Sequence, residues 1–281
     1  MSTDAPVPLV SVIVPTFQSA ATLPAALDSL AAQTFRDFEV VVSDGGSTDG
    51  TQAIARAAGP RLPALHMSSR PDRGVYDAIN LALDTARGDW VLVLGSDDRL
   101  HAPQTLAQAA PRLREASADL VHGDVRVMNA NRLGVPIGGR HAGPMPLNRL
   151  LRGNICQQAV FYRRSLFERI GRFDLSYPVM ADWDFNLRAA FRTELQWIDL
   201  VVADYAADGM SARRQDRAAE LGVPEMVRRE LLARADEQAL WPHHRVLLRQ
   251  ADVLRRQGQW RAAFVQLGSY LSLRLRRARH G

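Results

Sequence analysis

Four short apolar runs fall in the first hundred residues, at 10–17, 38–43, 64–68 and 90–94, and amphipathic stretches separate them. Runs of this length, rich in Val and Leu and bounded by turn residues, read as strands buried on both faces. The stretches between them read as helices. One spans 22–33, with Thr22 as N-cap, Pro24 in the first turn and Leu23, Leu27 and Leu30 on one face. Others span 51–58 and 76–86, the last stopped near Gly88. Parallel neighbours need a crossover, so strands alternating with helices predict an α/β fold on a mostly parallel sheet flanked by helices. Further strands are expected at 120–127, 159–162 and 196–203, and a helix from 182 to 191, with a Gly/Pro-rich loop at 134–146. Beyond 211 the pattern is purely helical, in segments near 224–240, 243–257 and 259–278 separated by Pro242 and Gly258.

Composition narrows the class. At 281 residues, 47% apolar and 23% charged, the chain has the usage of a globular protein and length for one or two domains. A single Cys156 forms no internal disulfide. No run of 18 apolar residues occurs, and the N-terminus lacks the basic-then-apolar layout of a secretory signal, so a cytoplasmic location is expected. All 35 basic residues are Arg. Fifteen of them, against seven acids, lie in 213–281, whereas 1–212 carries 20 Arg and 23 acids. Two units follow, a slightly acidic one at 1–212 and a basic helical extension at 213–281. The acidic balance of the first, with no basic sheet interleaved with aromatics, excludes a nucleic-acid partner.

In a parallel sheet, ligands bind beyond the C-terminal strand ends. Asp44 follows the second strand, Asp97 and Asp98 follow the fourth, and Asp182 and Asp184 precede a helix. Adjacent carboxylates on a loop suit Mg²⁺ or Mn²⁺, which fills its other positions with water and phosphate oxygens. Turn aspartates also cap helices and satisfy loop amides, and that reading stands beside the first. Two other nucleotide sites are absent. A dinucleotide fold wants Gly-x-Gly-x-x-Gly after the first strand, where this chain has Pro-Thr-Phe-Gln-Ser, and a P-loop needs Lys.

Five segments appear in register: Val-Ile-Val-Pro-Thr-Phe at 12–17; Val-Val-Ser-Asp-Gly-Gly-Ser-Thr-Asp-Gly-Thr at 41–51; Pro-Asp-Arg-Gly-Val-Tyr-Asp-Ala-Ile-Asn at 71–80; Gly-Ser-Asp-Asp at 95–98; and Gln-Ala-Val-Phe-Tyr-Arg-Arg at 158–164, followed by Gly-Arg-Phe-Asp at 171–174 and Ala-Asp-Trp-Asp-Phe at 181–185. Together they resemble a GT-A glycosyltransferase of the family 2 type, in the branch that builds bacterial exopolysaccharides. The resemblance covers about 9–212, with a nucleotide-binding half to about 100 and an acceptor half beyond it. It implies a GT-A sheet and transfer of one sugar, with inversion, from a nucleotide sugar to a glycan or lipid-linked acceptor. UDP is the commonest nucleotide in that family, with GDP and dTDP as alternatives.

By the same resemblance Pro15, Thr16 and Phe17 border the nucleobase, Asp44 bonds base or ribose, Arg70 reaches base or phosphates, and Asp97 lies by the ribose or donor sugar. Asp98 binds the metal, Mn²⁺ or Mg²⁺, and Asp182 is the general base. From the residues themselves, Asp184 supports the base, binds an acceptor hydroxyl or is a helix N-terminal charge, Gln158 bonds an acceptor sugar or caps a strand end, and Tyr76 lines the donor site, stands behind the acceptor site or is a partly buried aromatic; by the resemblance Arg213 or Arg214 is a phosphate clamp. Three residues depart from the pattern: Arg70 where relatives often have Glu, Gln157 where they often have His, and Ala181 where other branches have Glu. A degenerate, non-catalytic nucleotide-sugar-binding or scaffolding module of the same fold is the alternative. A sugar-phosphate nucleotidyltransferase would want a Gly-rich basic loop after the first strand, which is missing.

In the tail, Trp260, Ala263, Phe264, Leu267, Leu271 and Leu275 repeat at helical spacing, with Arg274, Arg276, Arg277 and Arg279 at the end. This helix either packs on the catalytic unit or a second subunit, giving a homo-oligomer, or lies on an anionic membrane surface and makes the enzyme peripheral there.

Overall fold

The computed structural model describes residues 7–129, 134–141, 143–206, 217–234, 240 and 243–280. The Arg213 phosphate clamp, and the 210–214 loop that carries it, lie outside the described residues.

Strands β1 (Val10–Thr16), β2 (Phe38–Asp44), β3 (Leu65–Ser69) and β4 (Trp90–Val93) alternate with helices α1 (Leu23–Ala31), α2 (Thr51–Ala58) and α3 (Val75–Ala82). Every residue of β1, β2 and β4 is buried, as a mostly apolar strand covered on both faces requires. The second half adds β5 (Arg99–Leu100), α4 (Thr105–Glu115), β6 (Leu120–Val127), β7 (Arg140–His141), α5 (Leu147–Leu150), β8 (Val160–Arg163), α6 (Arg164–Ile170), α7 (Ala181–Ala190) and β9 (Leu195–Tyr205). Three helices follow: α8 (Arg217–Ala233), α9 (Val246–Arg256) and α10 (Trp260–His280). Among the described residues one sheet runs β3-β2-β1-β4-β8-β6-β9-β5, with β7 beside β6. β1 pairs in parallel with β2 and β4, β2 with β3, and β6 with β9. β8 is antiparallel to both β4 and β6. The C-terminal ends of β1, β2, β3, β4, β6 and β9 therefore share one edge of the sheet, and the N-terminal end of β8 joins them there.

Each face of the sheet carries a core. Ile13, Val41, Val91 and Val93 point into one, under α3 and α7, and Val12, Val14, Val40 and Leu92 into the other, under α1, α2 and α4. Val223, Val227, Leu247 and Leu273 from the last three helices join the first core, so the C-terminal helices dock on the sheet unit by one side.

Thr22 is an exception to expectation. It precedes α1 in an αR conformation and makes no side-chain cap, its hydroxyl instead donating to the Ser19 carbonyl at 3.5 Å. Pro24 does stand in the first turn. Helix α8 begins before the expected 224 and carries Pro224 inside it.

Candidate active site

The shared edge collects nearly all the acids singled out in the sequence. Asp44 closes β2, and its buried carboxylate accepts hydrogen bonds from Thr16 Oγ1 (3.0 Å), Ser47 Oγ (2.5 Å), Ser69 Oγ (2.6 Å) and the Gly46 and Ser47 amides (3.2 and 2.9 Å). Burial pushes this carboxyl up, but the hydrogen bonds from Ser47, Ser69 and Thr16 outweigh it and hold it below the usual carboxylate range. It stays an anion and ties the ends of β1, β2 and β3 together. The loop after β1 is pinned to the loop after β2 as well, through Gln18 N to Ser47 Oγ at 2.8 Å. Gln18 has φ 49, the sole non-glycine with positive φ among the described residues.

This cradle presents Phe17, 64% exposed, beside Gly45. A Cβ on Gly45 would come within 2.8 Å of Asp72 Oδ2 and 3.2 Å of Phe17 Cδ2. Glycine there lets an aromatic edge and a carboxylate converge, a pairing suited to a nucleobase and its hydroxyl-bearing sugar. Pro15 is buried within β1. Arg70 is exposed at the rim and bonds Asp44 O through its backbone amide at 2.9 Å.

Beyond β4, Gly95 lies under the Asp97-Asp98 pair. A Cβ on it would meet Asp98 Oδ2 at 2.6 Å and Asp97 Oδ1 at 2.8 Å, so only glycine lets both carboxylates fold over this point. Asp98 is buried and accepts from Gln158 Nε2 (2.7 Å) and from the Ala206 amide (2.8 Å), while Asp97 is exposed. Two carboxylates suit a hard divalent ion that completes its shell with phosphate and water oxygens. Among the described residues no group of three His, Cys, Asp or Glu forms a complete protein cage.

Asp182 opens α7. Its Oδ1 accepts from the Tyr76 hydroxyl at 2.8 Å and its Oδ2 from Asn154 Nδ2 at 2.7 Å. Burial raises the carboxyl to about 6, against the pull of Tyr76, Asn154 and the amides at the start of the helix. A carboxylate poised near neutrality is what a general base requires. Tyr76 is buried and also reaches the Val179 carbonyl at 2.7 Å, so it sits behind Asp182 rather than along the donor cradle. Asp184 pairs with Arg188 at 2.8 Å one turn along the same helix and is buried there, which gives it a structural partner of its own.

One short segment connects the two carboxylates. Asn154 holds Asp182 and Gln158 holds Asp98, so four residues of chain, at most about 14 Å fully extended, separate the two anchors. Cys156 lies midway. Burial, then the carboxylates of Asp98, Asp182 and Asp124, push its thiol up to about 12, which leaves it a neutral, unreactive apolar group. Asp124 is spoken for by Arg140, Trp197 Nε1 (2.9 Å) and the Gly143 amide (2.8 Å).

Sequence reading missed Asn154, Asp72 and the Ala206 amide. Asp72 sits in a Pro-Asp-Arg-Gly turn that marked it as a loop acid; Asn154 and Ala206 carry no local signal.

Comparison with known proteins agrees with this geometry. The family model described as glycosyl transferase family 2 matches residues 11–171. A PGL/p-HBAD biosynthesis glycosyltransferase of Mycobacterium tuberculosis is 47% identical over 203 residues, covering 70% of this chain and 77% of the relative. Among solved structures, Staphylococcus aureus TarS 1–349 in complex with UDP-GlcNAc superposes with TM-score 0.65 at 23% identity, covering 94% of this chain and 81% of that one. Mannosyltransferase PcManGT from Pyrobaculum calidifontis, in complex with GDP-Man and Mn²⁺, gives TM-score 0.59 at 23% identity, with 94% and 75% covered. These likenesses fix the GT-A fold. With a curled, mostly parallel sheet, acids gathered at its C-terminal edge and a family match over more than half its length, the chain belongs to glycosyltransferase family 2.

Proposed function

We propose that this glycosyltransferase moves one sugar from a nucleotide sugar, UDP-linked in the first instance, to a hydroxyl of a glycan or lipid-linked acceptor by direct displacement with inversion. Residues 1–212 would carry the transfer. The observation that bears most weight is the 154–158 segment, which holds an acid raised to about 6 at one end and Asp98 at the other.

In this reading the nucleobase lies against Phe17 in the cradle tied by Asp44, bordered by Pro15 and Thr16, with Asp97 by the ribose or donor sugar and Arg70 at the rim. Asp98, with Asp97 beside it, would hold Mn²⁺ or Mg²⁺. The convergence of both carboxylates over Gly95 fits such an ion. When bound, the ion supplies positive charge for the departing diphosphate, which these acids would otherwise repel.

Asp182 takes the proton of the acceptor hydroxyl as its oxygen attacks the anomeric carbon from the face opposite the diphosphate. The C–O bond to the nucleotide breaks as the new one forms, so no covalent enzyme nucleophile is needed. Tyr76 accommodates the change of charge. Its hydroxyl has one hydrogen and two acceptors, Asp182 Oδ1 and the Val179 carbonyl. It donates to Asp182 while the carboxylate is charged. Once Asp182 holds the proton, Tyr76 turns to Val179 O and its oxygen accepts from the new carboxylic acid. Gln158 steadies Asp98 at the donor side.

The mycobacterial relative named for PGL/p-HBAD biosynthesis supports an acceptor of glycolipid type over a purely polysaccharide one. A non-catalytic binding module would have no use for a half-buried acid held near neutrality.

The test is release of nucleotide from a panel of UDP-, GDP- and dTDP-sugars with Mn²⁺, Mg²⁺ or EDTA, alongside thermal-shift binding of the same panel. We expect one donor to be cleaved with metal and not with EDTA, and the activity to vanish in Asp98→Ala. If no nucleotide or nucleotide sugar stabilised the fold with metal present, the proposal would fall to the scaffolding alternative.

A further inference from the structure

A docked helix turns one face to its partner, and α10 carries an apolar stripe on the other face as well. Ala263, Gln266, Ser269 and Leu273 are buried against the rest of the molecule, with Leu273 in the main core. On the opposite side Trp260, Phe264, Leu267, Leu271 and Leu275 are 53%, 67%, 39%, 51% and 64% exposed. At 100° per residue these five fall within an arc of about 80°. The stripe runs for about 22 Å along the helix, a continuous row rather than scattered surface hydrophobics. The exposed side chains of Arg261 and Arg274 border it on either side. Next to it, Ala251, Asp252 and Arg255 of α9 and Ala263 of α10 close a shallow groove of about 220 Å³ floored by Trp260, Phe264 and Leu267.

Charge identifies the occupant. From His243 to Gly281 the sequence has nine Arg and one acid, Asp252. A second copy seated on this stripe would bring two such arginine-rich surfaces together and would be repelled. An anionic bilayer offers apolar depth for the stripe and phosphates for its flanking arginines. Among the described residues no helix is long and apolar enough to cross a membrane, so the contact is one of lying on the surface. We infer that the outer face of α10 seats this enzyme on the anionic surface of a lipid bilayer, with Trp260, Phe264, Leu271 and Leu275 in the acyl boundary and Arg261 and Arg274 among the headgroups. The surface stands whether or not the donor and acceptor proposed above are right.

The test is flotation of the full chain with vesicles of phosphatidylcholine alone or mixed with phosphatidylglycerol, at low and high salt. Two variants accompany it, Phe264→Ser/Leu271→Ser/Leu275→Ser and Arg261→Gln/Arg274→Gln. All five positions are exposed, so circular dichroism and donor hydrolysis should match wild type in both. We expect wild type to float with the anionic vesicles only, high salt and the arginine variant to reduce the bound fraction, and the serine variant to bind about tenfold less. Equal flotation of wild type and the serine variant would overturn the proposal, as would indifference to phosphatidylglycerol. Sedimentation showing a wild-type dimer that the serine variant converts to monomer would overturn it too, by assigning the face to a second copy.

Discussion

The end of β2 and the start of α7 each set an aspartate on the same edge of the sheet, and the two carboxylates behave in opposite ways. Asp44 receives three hydroxyls and two amides from its own loops and is held below its ordinary pKa. Asp182 receives Tyr76 and Asn154 side chains and is raised to about 6. Burial acts on both in the same direction. What separates them is the balance: at β2 the hydroxyls and amides outweigh burial and fix an anion, whereas at α7 burial outweighs Tyr76, Asn154 and the helix-start amides and leaves a proton exchangeable. The β2 end of this edge thus carries a fixed anion and the α7 end a titrating carboxyl.

The contrast is sharpest in the response to removing each charge. Asp182→Asn should cut the transfer rate about a thousandfold, measured as product formed per enzyme, because an amide cannot take the acceptor proton. Donor binding in the same variant, followed by titration of nucleotide, should be nearly unchanged; a parallel loss of binding would mean that Asp182 serves the donor instead. At β2 the expected damage is to the fold. Asp44→Ala leaves several buried donors without their acceptor and should cost about 3 kcal/mol of unfolding free energy, read from urea denaturation. A change within error would show that water replaces the carboxylate freely.

Next in size is the proton hand-over. Wild-type kcat/KM should fall with decreasing pH through a limb near 6, where Asp182 becomes protonated. Tyr76→Phe removes a hydrogen bond to the charged form, so the limb should move to higher pH and the plateau drop by roughly tenfold. An unmoved limb would dissociate Tyr76 from the base. The smallest effect is thermal. Because the Asp182 pKa is higher folded than unfolded, its contribution to stability is full below the unfolded value near 4 and lost as pH rises through about 6. Asp182→Asn should therefore melt a few degrees above wild type at pH 7.5, and that advantage should vanish near pH 4.

Much of the scaffold was legible. Val-rich runs gave β1, β2 and β4 to within a residue or two, since strands buried on both faces are mostly apolar. Helix α4 was not read. Thr105, Leu106, Ala109, Ala110 and Leu113 do form its buried stripe, but small residues and an interior Pro111 blur the period. The pairs β5 and β7, two residues each, are too short to show any periodicity. Asp98 and Asp182 were visible because each sits in a recognisable run. Their partners were not. Asn154 meets Asp182 across 28 residues and Tyr76 meets it across 106, and only the folded chain brings them together.

The segment from Asn154 to Gln158 works as a spacer of fixed length. Because one end grips Asp182 and the other Asp98, adding or deleting a single amino acid there would change the distance between the two carboxylates. In the proposed transfer, the length of this segment would therefore bear on the size of sugar that fits between the two carboxylates.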